Sequence, residues 1–543
     1  MKHYLSRLQD TIVANWDRKA LCDYGGASYT FGDLAINIEK LHLIFDSLGV
    51  RKGDKISLCG KNQARWGISF LAVNTYEAVV VPILADFTPD NICSIVNHSE
   101  STILFTDADI WKTLDETKMP SVKAVIGISD FGLLNGSAED RDVFDSLQQT
   151  FRRKYPIGFS EEDVHFPTDN DKDLAVINYT SGSTGDPKGV MLRYECFSAN
   201  VEFGQTHIQS RPGDNLLSIL PMAHMFGMVF EMIYPLCGGT TIYFLGKTPG
   251  PTLLMKAMCE VKPYLLVAVP MVFEKVYRGK LKPVLDKPAV KVLTKIPGIR
   301  GLIYSKMRKS IDAAFGGNVR EYVMGGAAVN PEVEDFLGKI GFHFTVGYGM
   351  TEAAPLLAYS PWQTFAPRSC GKAMDFVRLR IDSEDPEHLV GEIQAKGVNL
   401  LNGYFKNEKA TKASLTPDGW FRTGDLGLID KSGNVYIKGR SKSMILSSNG
   451  QNIYPEEIEC QINSLPYVQE SLVVSREGRL VALVRVDDKS LQKDGKDAEN
   501  LKAELLDSIN ARMPKYSRIT GIEFLPEPFQ KTPKQSIKRF MYK

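Results

Sequence analysis

Cysteine is scarce and scattered in this chain. Eight occur among 543 residues (Cys22, Cys59, Cys93, Cys196, Cys237, Cys259, Cys370 and Cys460), with no CxxC pair. That spacing argues against a disulfide framework or a zinc site and fits reduced thiols. An excess of one charge is also lacking. Lys and Arg number 65 against 64 Asp and Glu, a formal net charge of +1, so nothing global draws the chain to nucleic acid or an anionic membrane. Any anionic ligand must be held by local groups. No internal repeat or low-complexity tract is visible, and no apolar run is both long and unbroken. The most apolar stretch, LLSILPMAHMFGMVFEMIYPLC (216–237), is interrupted by Pro221, His224, Glu231 and Pro235, which marks a buried core or pocket segment rather than a membrane span. The opening residues MKHYLSRLQDTIVANW lack the apolar core of a signal peptide. The expectation is a cytoplasmic protein that meets membranes at most peripherally.

What is present describes an ordinary globular chain, 43% hydrophobic and 24% charged. Its length exceeds what one simple core holds, so two or more domains are expected. Short β-branched runs alternate with helical patterns over most of the sequence: KISLCG (55–60), AVVVPIL (78–84), STILFTD (101–107), KAVIGIS (123–129) and TTIYFLG (240–246) read as strands. LAVNTYEA (71–78) and LLMKAMCEV (253–261) carry helical spacing. The alternation predicts an α/β fold with strands buried by helices. Near residue 390 the texture changes. GEIQAKG, WFRTGD, LGLIDKSG and NVYIKGR read as short strands separated by Gly and Asp turns, a β-rich subdomain over 390–438. The last ~100 residues read helix, strand, strand, helix, enough for a small α+β domain. The division expected is 1–438, a hinge at 439–443 (GRSKS), and 444–543; a plain surface turn at 439–443 is the competing reading.

The segment AVINYTSGSTGDPKGVML leads from an apolar strand into a loop of Gly, Ser and Thr. Gly182, Gly185 and Gly189 permit close backbone approach. Thr180, Ser181, Ser183 and Thr184 add hydroxyls, and Lys188 adds a positive charge. Converging N–H groups and hydroxyls make an anion cradle suited to a polyphosphate. It is not a Walker loop, because the second Gly required after Gly182 falls on Pro187 and no GK[ST] follows. The ordered string YTSGSTGDPKGVML (179–192) resembles the phosphate-binding signature of the adenylate-forming superfamily, which comprises acyl- and aryl-CoA synthetases, nonribosomal adenylation domains and luciferases.

Further segments resemble that superfamily in the expected order, from YTFGDL at Tyr29 to Arg539. LPMAHMFG (220–227) resembles its second motif, which implies His224 and Phe226 beside the acyl carboxylate; a His amid Met and Phe is otherwise an ordinary core residue. VMGGAAVNP (323–331) follows a strand, and the resemblance implies that Gly325, Gly326 and Ala327 form one wall for adenine. In VGYGMTEAAP (346–355), it implies that Tyr348 stacks on adenine, Thr351 bonds the α-phosphate and Glu352 ligates Mg²⁺, a hard cation suited to carboxylate and phosphate oxygens. For DGWFRTGDLG (418–427) and KGRSK (438–442) the resemblance implies that Asp425 accepts from the ribose hydroxyls, that Arg440 contacts the nucleotide and that Lys442 takes the hinge position. SSNGQNIYPEEIE (447–459) resembles the loop serving thioester formation, with Gly450 leaving room for the pantetheine arm of coenzyme A.

One departure stands out at the C-terminus, FQKTPKQSIKRFMYK. Aligning Thr532, Ile537 and Arg539 with the usual signature puts Ser536 where the superfamily carries a catalytic Lys. A neutral Ser cannot offset charge building on the phosphate. Lys534 and Lys538 lie two residues to either side, on the same face of an extended segment, and Lys534 is the replacement expected. GKNQARWGISFLA (60–72) and VAVPMVFEKVY (267–277) resemble long-chain fatty acyl-CoA synthetases more than acetyl- or aryl-activating members. Met228, Val229, Val267, Ala268, Met271 and Val272 could line an apolar channel or simply fill core helices. The resemblance thus implies a ligase using ATP, Mg²⁺ and coenzyme A on a fatty acid. Two alternatives stay open: loading of an acyl carrier protein in trans, and a nucleotide- and acyl-binding pseudoenzyme weakened at Ser536.

Overall fold

The computed structural model describes residues 1–180, 187–246, 250–446, 451–465, 467–476, 478–487, 491, 498–532 and 537–542. Its largest sheet has seven strands, in the order Leu133–Asn135, Ala124–Gly127, Ile103–Thr106, Lys55–Gly60, Val79–Leu84, Leu174–Thr180 and Lys188–Arg193. The five inner strands run parallel and the two outermost are antiparallel to their neighbours. Val79–Leu84 reads VVVPIL and is buried at every position, as a parallel strand covered on both faces must be. Pro82 has no N–H to give, and the pairing toward Leu174–Thr180 is confined to Val80 with Val176.

The helices around this sheet have well-specified starts. Thr30 and Asp33 form a reciprocal capping box at the head of Phe31–Ser47, as Ser137 and Asp140 do for Ala138–Lys154. A buried asparagine ties the layers together. Asn74, near the end of helix Ala64–Thr75, accepts from the Tyr4 hydroxyl (2.5 Å) and donates to the Ala175 carbonyl (2.9 Å), while its own carbonyl accepts from the Tyr194 hydroxyl (2.7 Å).

A four-stranded sheet (Asn215–Ser218, Thr241–Phe244, Lys19–Asp23, Ser28–Thr30) and a parallel three-stranded sheet (Leu265–Ala268, Glu321–Met324, Phe344–Val346) extend the same core. The 216–237 stretch is a strand end, a turn and a short, wide helical passage, all packed inside that core. Among the described residues no helix is long and apolar enough to cross a membrane.

The antiparallel meander that follows comprises Val377–Asp382, Gly391–Gly397, Phe421–Ile429 and Val435–Arg440. Here the structure differs from the sequence reading, which split WFRTGD from LGLID at a turn. Phe421–Ile429 is one continuous strand. Gly424 takes φ +72° and the register against the flanking strands shifts nearby, so the glycine makes a bulge rather than a turn. Beyond it, Val468–Arg476, Arg479–Val486 and Gly521–Phe524 form a separate sheet. Helices Pro455–Asn463 and Ala498–Asn510 close a separate core around Ile458, Ile462, Leu505 and Ile509.

Replacing Asn74 by Ala strands the Tyr4 hydroxyl and the Ala175 carbonyl in the core, a loss of roughly 2–4 kcal/mol. Calorimetry should show a clearly lower melting temperature for N74A, and an unchanged one would mean that these bonds do not tie the layers.

Candidate active site

The antiparallel pair Leu174–Thr180 and Lys188–Arg193 brings Thr180 directly opposite Lys188 at the sheet edge. The hydroxyl of Thr180 points back to the Lys188 carbonyl at 3.5 Å. Ser181, Gly182, Ser183, Thr184 and Gly185 lie outside the described residues, so the loop is seen here through its two ends.

Lys188 opens an edge strand that a second segment covers. Phe405 N donates to the Gly189 carbonyl (2.7 Å), Met191 N to the Gly403 carbonyl (3.0 Å), and Asn402 N to the Met191 carbonyl (2.8 Å). Gly189 allows this close approach, since a Cβ there would sit 2.8 Å from Ile177 Cγ2 and 3.3 Å from Phe405 Cβ. The zipper carries Tyr404 under Lys188, whose ammonium stands 5.3 Å from the ring centre. The Tyr404 hydroxyl donates to Glu352 Oε1 at 3.1 Å, and Leu401 N donates to the Glu352 carbonyl at 2.8 Å. Burial and the neighbouring Glu352 carboxylate both push the Tyr404 hydroxyl pKa up, which keeps it a proton donor. Thr351, buried beside Glu352, begins the short turn Thr351–Ala353. Lys188, Thr351 and Glu352, chosen from distant segments, therefore share one neighbourhood. Tyr404 was missed by sequence reasoning, because a tyrosine in LNGYFKN carries no motif.

A second group lies at the meander. Tyr348 is buried and its hydroxyl donates to Asp425 Oδ2 at 2.7 Å, while Arg440 Nε reaches Oδ1 at 2.9 Å. Asp425 and Arg440 are register partners on adjacent strands. Burial raises the Asp425 pKa, and Arg440 and the Tyr348 hydroxyl oppose that rise. Both oxygens retain lone pairs for further donors. Gly325, Gly326 and Ala327 follow strand Glu321–Met324; Gly325 N donates to the Ala268 carbonyl (3.2 Å). Gly326 takes φ +80° and, with Ala327, is exposed, so this turn presents bare backbone.

His224 caps the short helix Met225–Met228, its Nδ1 accepting from Phe226 N at 3.4 Å. The His224 and Phe226 rings lie stacked, 6.4 Å apart, and both are half-buried. Three polar side chains hold the approach to His224, all missed by motif reading. Asn62 brackets the turn by donating to the Leu220 carbonyl (2.6 Å) and accepting from Met222 N (2.8 Å). Asn178 donates to the Ala223 carbonyl (2.9 Å). Glu231, read from sequence only as an interruption, accepts from Ser218 Oγ (3.0 Å), Ile219 N (3.0 Å) and Leu220 N (2.9 Å). Met228 and Ala268 are fully buried in the main core, and Val272 is partly buried against it.

Lys442 is exposed on the turn after strand Val435–Arg440, where Ser441 N donates to the Gly424 carbonyl (2.9 Å). Helix Pro455–Asn463 packs on that strand, with Lys438 and Glu457 3.2 Å apart. Arg278 donates to the carbonyls of Asn463 (2.7 Å) and Leu465 (3.3 Å), joining the two cores. Arg539 is held by Glu459 and by Glu456 at 3.5 Å. Gly450, Lys534 and Ser536 lie outside the described residues.

This α/β frame, with its separate C-terminal core, belongs to a known class. Residues 8–405 match the AMP-binding enzyme family, and residues 442–542 match the AMP-binding enzyme C-terminal domain. The chain is therefore a member of the AMP-binding enzyme family, within the adenylate-forming superfamily. It is similar to the long-chain-fatty-acid–CoA ligase FadD15 of Mycobacterium bovis, 27% identical over 85% of this chain and 78% of that protein. It is also similar to long-chain-fatty-acid–CoA ligase 4 of Saccharomyces cerevisiae, 32% identical over 79% and 67% respectively. The fold matches ATP-bound MatB from Rhodopseudomonas palustris with a TM-score of 0.77 at 23% identity, covering 100% of this chain and 98% of that one. It matches the anthranilate CoA ligase AuaEII with a TM-score of 0.80 at 18% identity, covering 99% and 96%.

Burial pushes the Glu231 carboxyl from its ordinary 4.5 up to about 8, against three hydrogen bonds that favour the charged form. The folded chain holds this proton where the unfolded chain has lost it. Stability from this group is thus complete below pH 4.5 and is lost as pH rises through about 8. Between about pH 5 and pH 8, melting temperatures of E231Q should gain steadily on those of the natural chain; a constant difference would contradict a proton held at Glu231.

Proposed function

We propose that this acid–CoA ligase acts on a long-chain fatty acid, converting R–COO⁻ and ATP to acyl-AMP and pyrophosphate, then coenzyme A and acyl-AMP to acyl-CoA and AMP. The observation that carries the adenylating half is the convergence of Lys188, Tyr404 and Glu352 at the end of the glycine-rich loop. A carboxylate is a poor acyl donor because its leaving group would be oxide; AMP is a stabilised one. Lys188 and the loop from Thr180 to Gly185 would hold the phosphates, and Thr351 would donate to the α-phosphate. Glu352, oriented by the Tyr404 hydroxyl, would hold Mg²⁺, which when bound supplies positive charge against the phosphates. One carboxylate with phosphate oxygens and waters suits that ion.

Asp425 would accept the ribose hydroxyls while Tyr348 and Arg440 fix its rotamer. Gly325, Gly326 and Ala327 would lie along the adenine, with Tyr348 on its other side. His224 would meet the acyl carboxylate. With Nδ1 accepting from Phe226 N, the neutral ring carries its proton on Nε2 and offers a donor. Phe226, Met228, Ala268 and Val272 would line the chain. Turning the C-terminal domain about Lys442 would exchange Lys534 for the Gly450 loop between the half-reactions. The relatives named for long-chain fatty acids support that substrate class.

Pyrophosphate release measured across acids from acetate to palmitate, with and without coenzyme A, tests this. Palmitate should exceed acetate in kcat/KM, with coenzyme A accelerating turnover; preference for a short acid would overturn the long-chain reading. E352Q should lower pyrophosphate release by roughly 10²-fold or more with the fold intact. K534A should suppress ATP–pyrophosphate exchange while sparing thioester formation from supplied acyl-AMP. If K534A and K538A both leave exchange untouched, the substitute-lysine reading fails.

A further inference from the structure

The balanced charge of the whole chain hides a strongly basic surface. Between residues 282 and 309 lie eight of the 65 Lys and Arg but only one of the 64 Asp and Glu, Asp286. The segment folds as Lys282–Leu285, Pro288–Leu293 and Pro297–Ala314. Few of its side chains reach the core; in the eighteen-residue final helix only Met307 and Ile311 are fully buried. Lys282 pairs with Glu332 and Lys291 with Asp286. Lys287, Lys295, Arg300, Lys306 and Lys309 have no carboxylate within 4.0 Å among the described residues and are exposed.

Interleaved with these cations are aliphatic side chains that a solvated surface would not favour: Val292 is 62% exposed, Ile296 46% and Leu302 74%. Behind them a cleft of about 780 Å³ separates the long helix from the turn at 338–341. Arg300, Tyr304, Ser305, Arg308 and Lys339 line it, and its lining includes no carboxylate. Arg308 is steadied there by its bond to the Gly341 carbonyl at 3.3 Å.

We propose that this surface docks on an anionic lipid bilayer, with Val292, Ile296 and Leu302 entering the acyl boundary and the lysines meeting lipid phosphates. The charge supplies attraction to an anionic leaflet, and the aliphatic side chains supply apolar burial that a purely ionic partner would not reward. The long lysine stems can lie along apolar surface while their heads stay at the phosphates. A nucleic acid would use the cations but leave the aliphatics idle, and no aromatic side chain is strongly exposed in this segment for base stacking. In the chain this segment follows helix Pro270–Val276, which carries Val272, across the single turn Tyr277–Leu281, so docking would set the proposed acid channel near a membrane reservoir.

The test is cosedimentation of the full chain with vesicles, which reads binding without catalysis and so stands apart from the substrate assignment. Vesicles of two parts phosphatidylcholine to one part phosphatidylglycerol should bind the chain, and phosphatidylcholine alone should not. K295E/K306E/K309E should weaken binding ~100-fold, from about fivefold per cation. V292E/L302E should weaken it at least ~10-fold. All five positions are exposed, so melting temperatures should hold. The proposal is overturned if anionic vesicles fail to bind the natural chain, or if either variant binds them as well as it does. It is also overturned if V292E/L302E binds normally while the charge reversals abolish binding to a single-stranded RNA, because the surface would then be an ionic dock. Capture of an acidic holo carrier protein by this surface, with no vesicle binding, would replace the bilayer by a protein.

Discussion

A short backbone zipper governs the proposed chemistry: residues 401–405 run along the outer edge of strand Lys188–Arg193. Edge strands expose unpaired N–H and C=O groups that must find partners, and here the partner comes from a segment more than two hundred residues away. Once Phe405, Gly403 and Asn402 have paired with Gly189 and Met191, Tyr404 must lie beneath Lys188 and Glu352 is held from both ends, by its carbonyl and by its carboxylate. Groups that would wander if exposed are fixed by a few obligatory hydrogen bonds.

The acid side follows the same rule with side chains in place of backbone. His224 stands on a turn that makes no regular ladder, so its carbonyls and N–H groups need other partners. Asn62, Asn178 and Glu231 supply them. Glu231 sits in the wide helical turn Val229–Ile233, a geometry often found beside functional sites. Its buried second oxygen has no hydrogen-bond partner among the described residues. That cost suits a carboxyl that keeps its proton. Order at the site is therefore bought with polar burial close to it.

Much of the fold was legible because its signals are local. VVVPIL announces a covered strand, and Thr30 with Asp33 announces a helix start. Lys188, Glu352 and Asp425 could be picked out through the motif strings around them. Tyr404, Asn62 and Asn178 could not, since their roles depend on which distant backbone they meet. Gly424 shows a different failure: its preference for positive φ is visible in sequence, but whether it turns or bulges a strand depends on neighbouring strands. The basic surface at 282–309 was hidden for a third reason, because a near-zero sum over the whole chain says nothing of how charge is distributed.

The proposed reaction begins with attack by the acid's carboxylate on the α-phosphate of ATP, and isotope transfer reports that bond directly. Palmitate labelled with ¹⁸O in both carboxylate oxygens should leave one label in the AMP produced, because thiolysis breaks the acyl carbon–oxygen bond. Label recovered in inorganic phosphate alongside ADP, or AMP formed without label, would contradict an acyl-adenylate intermediate and with it the function proposed for this site.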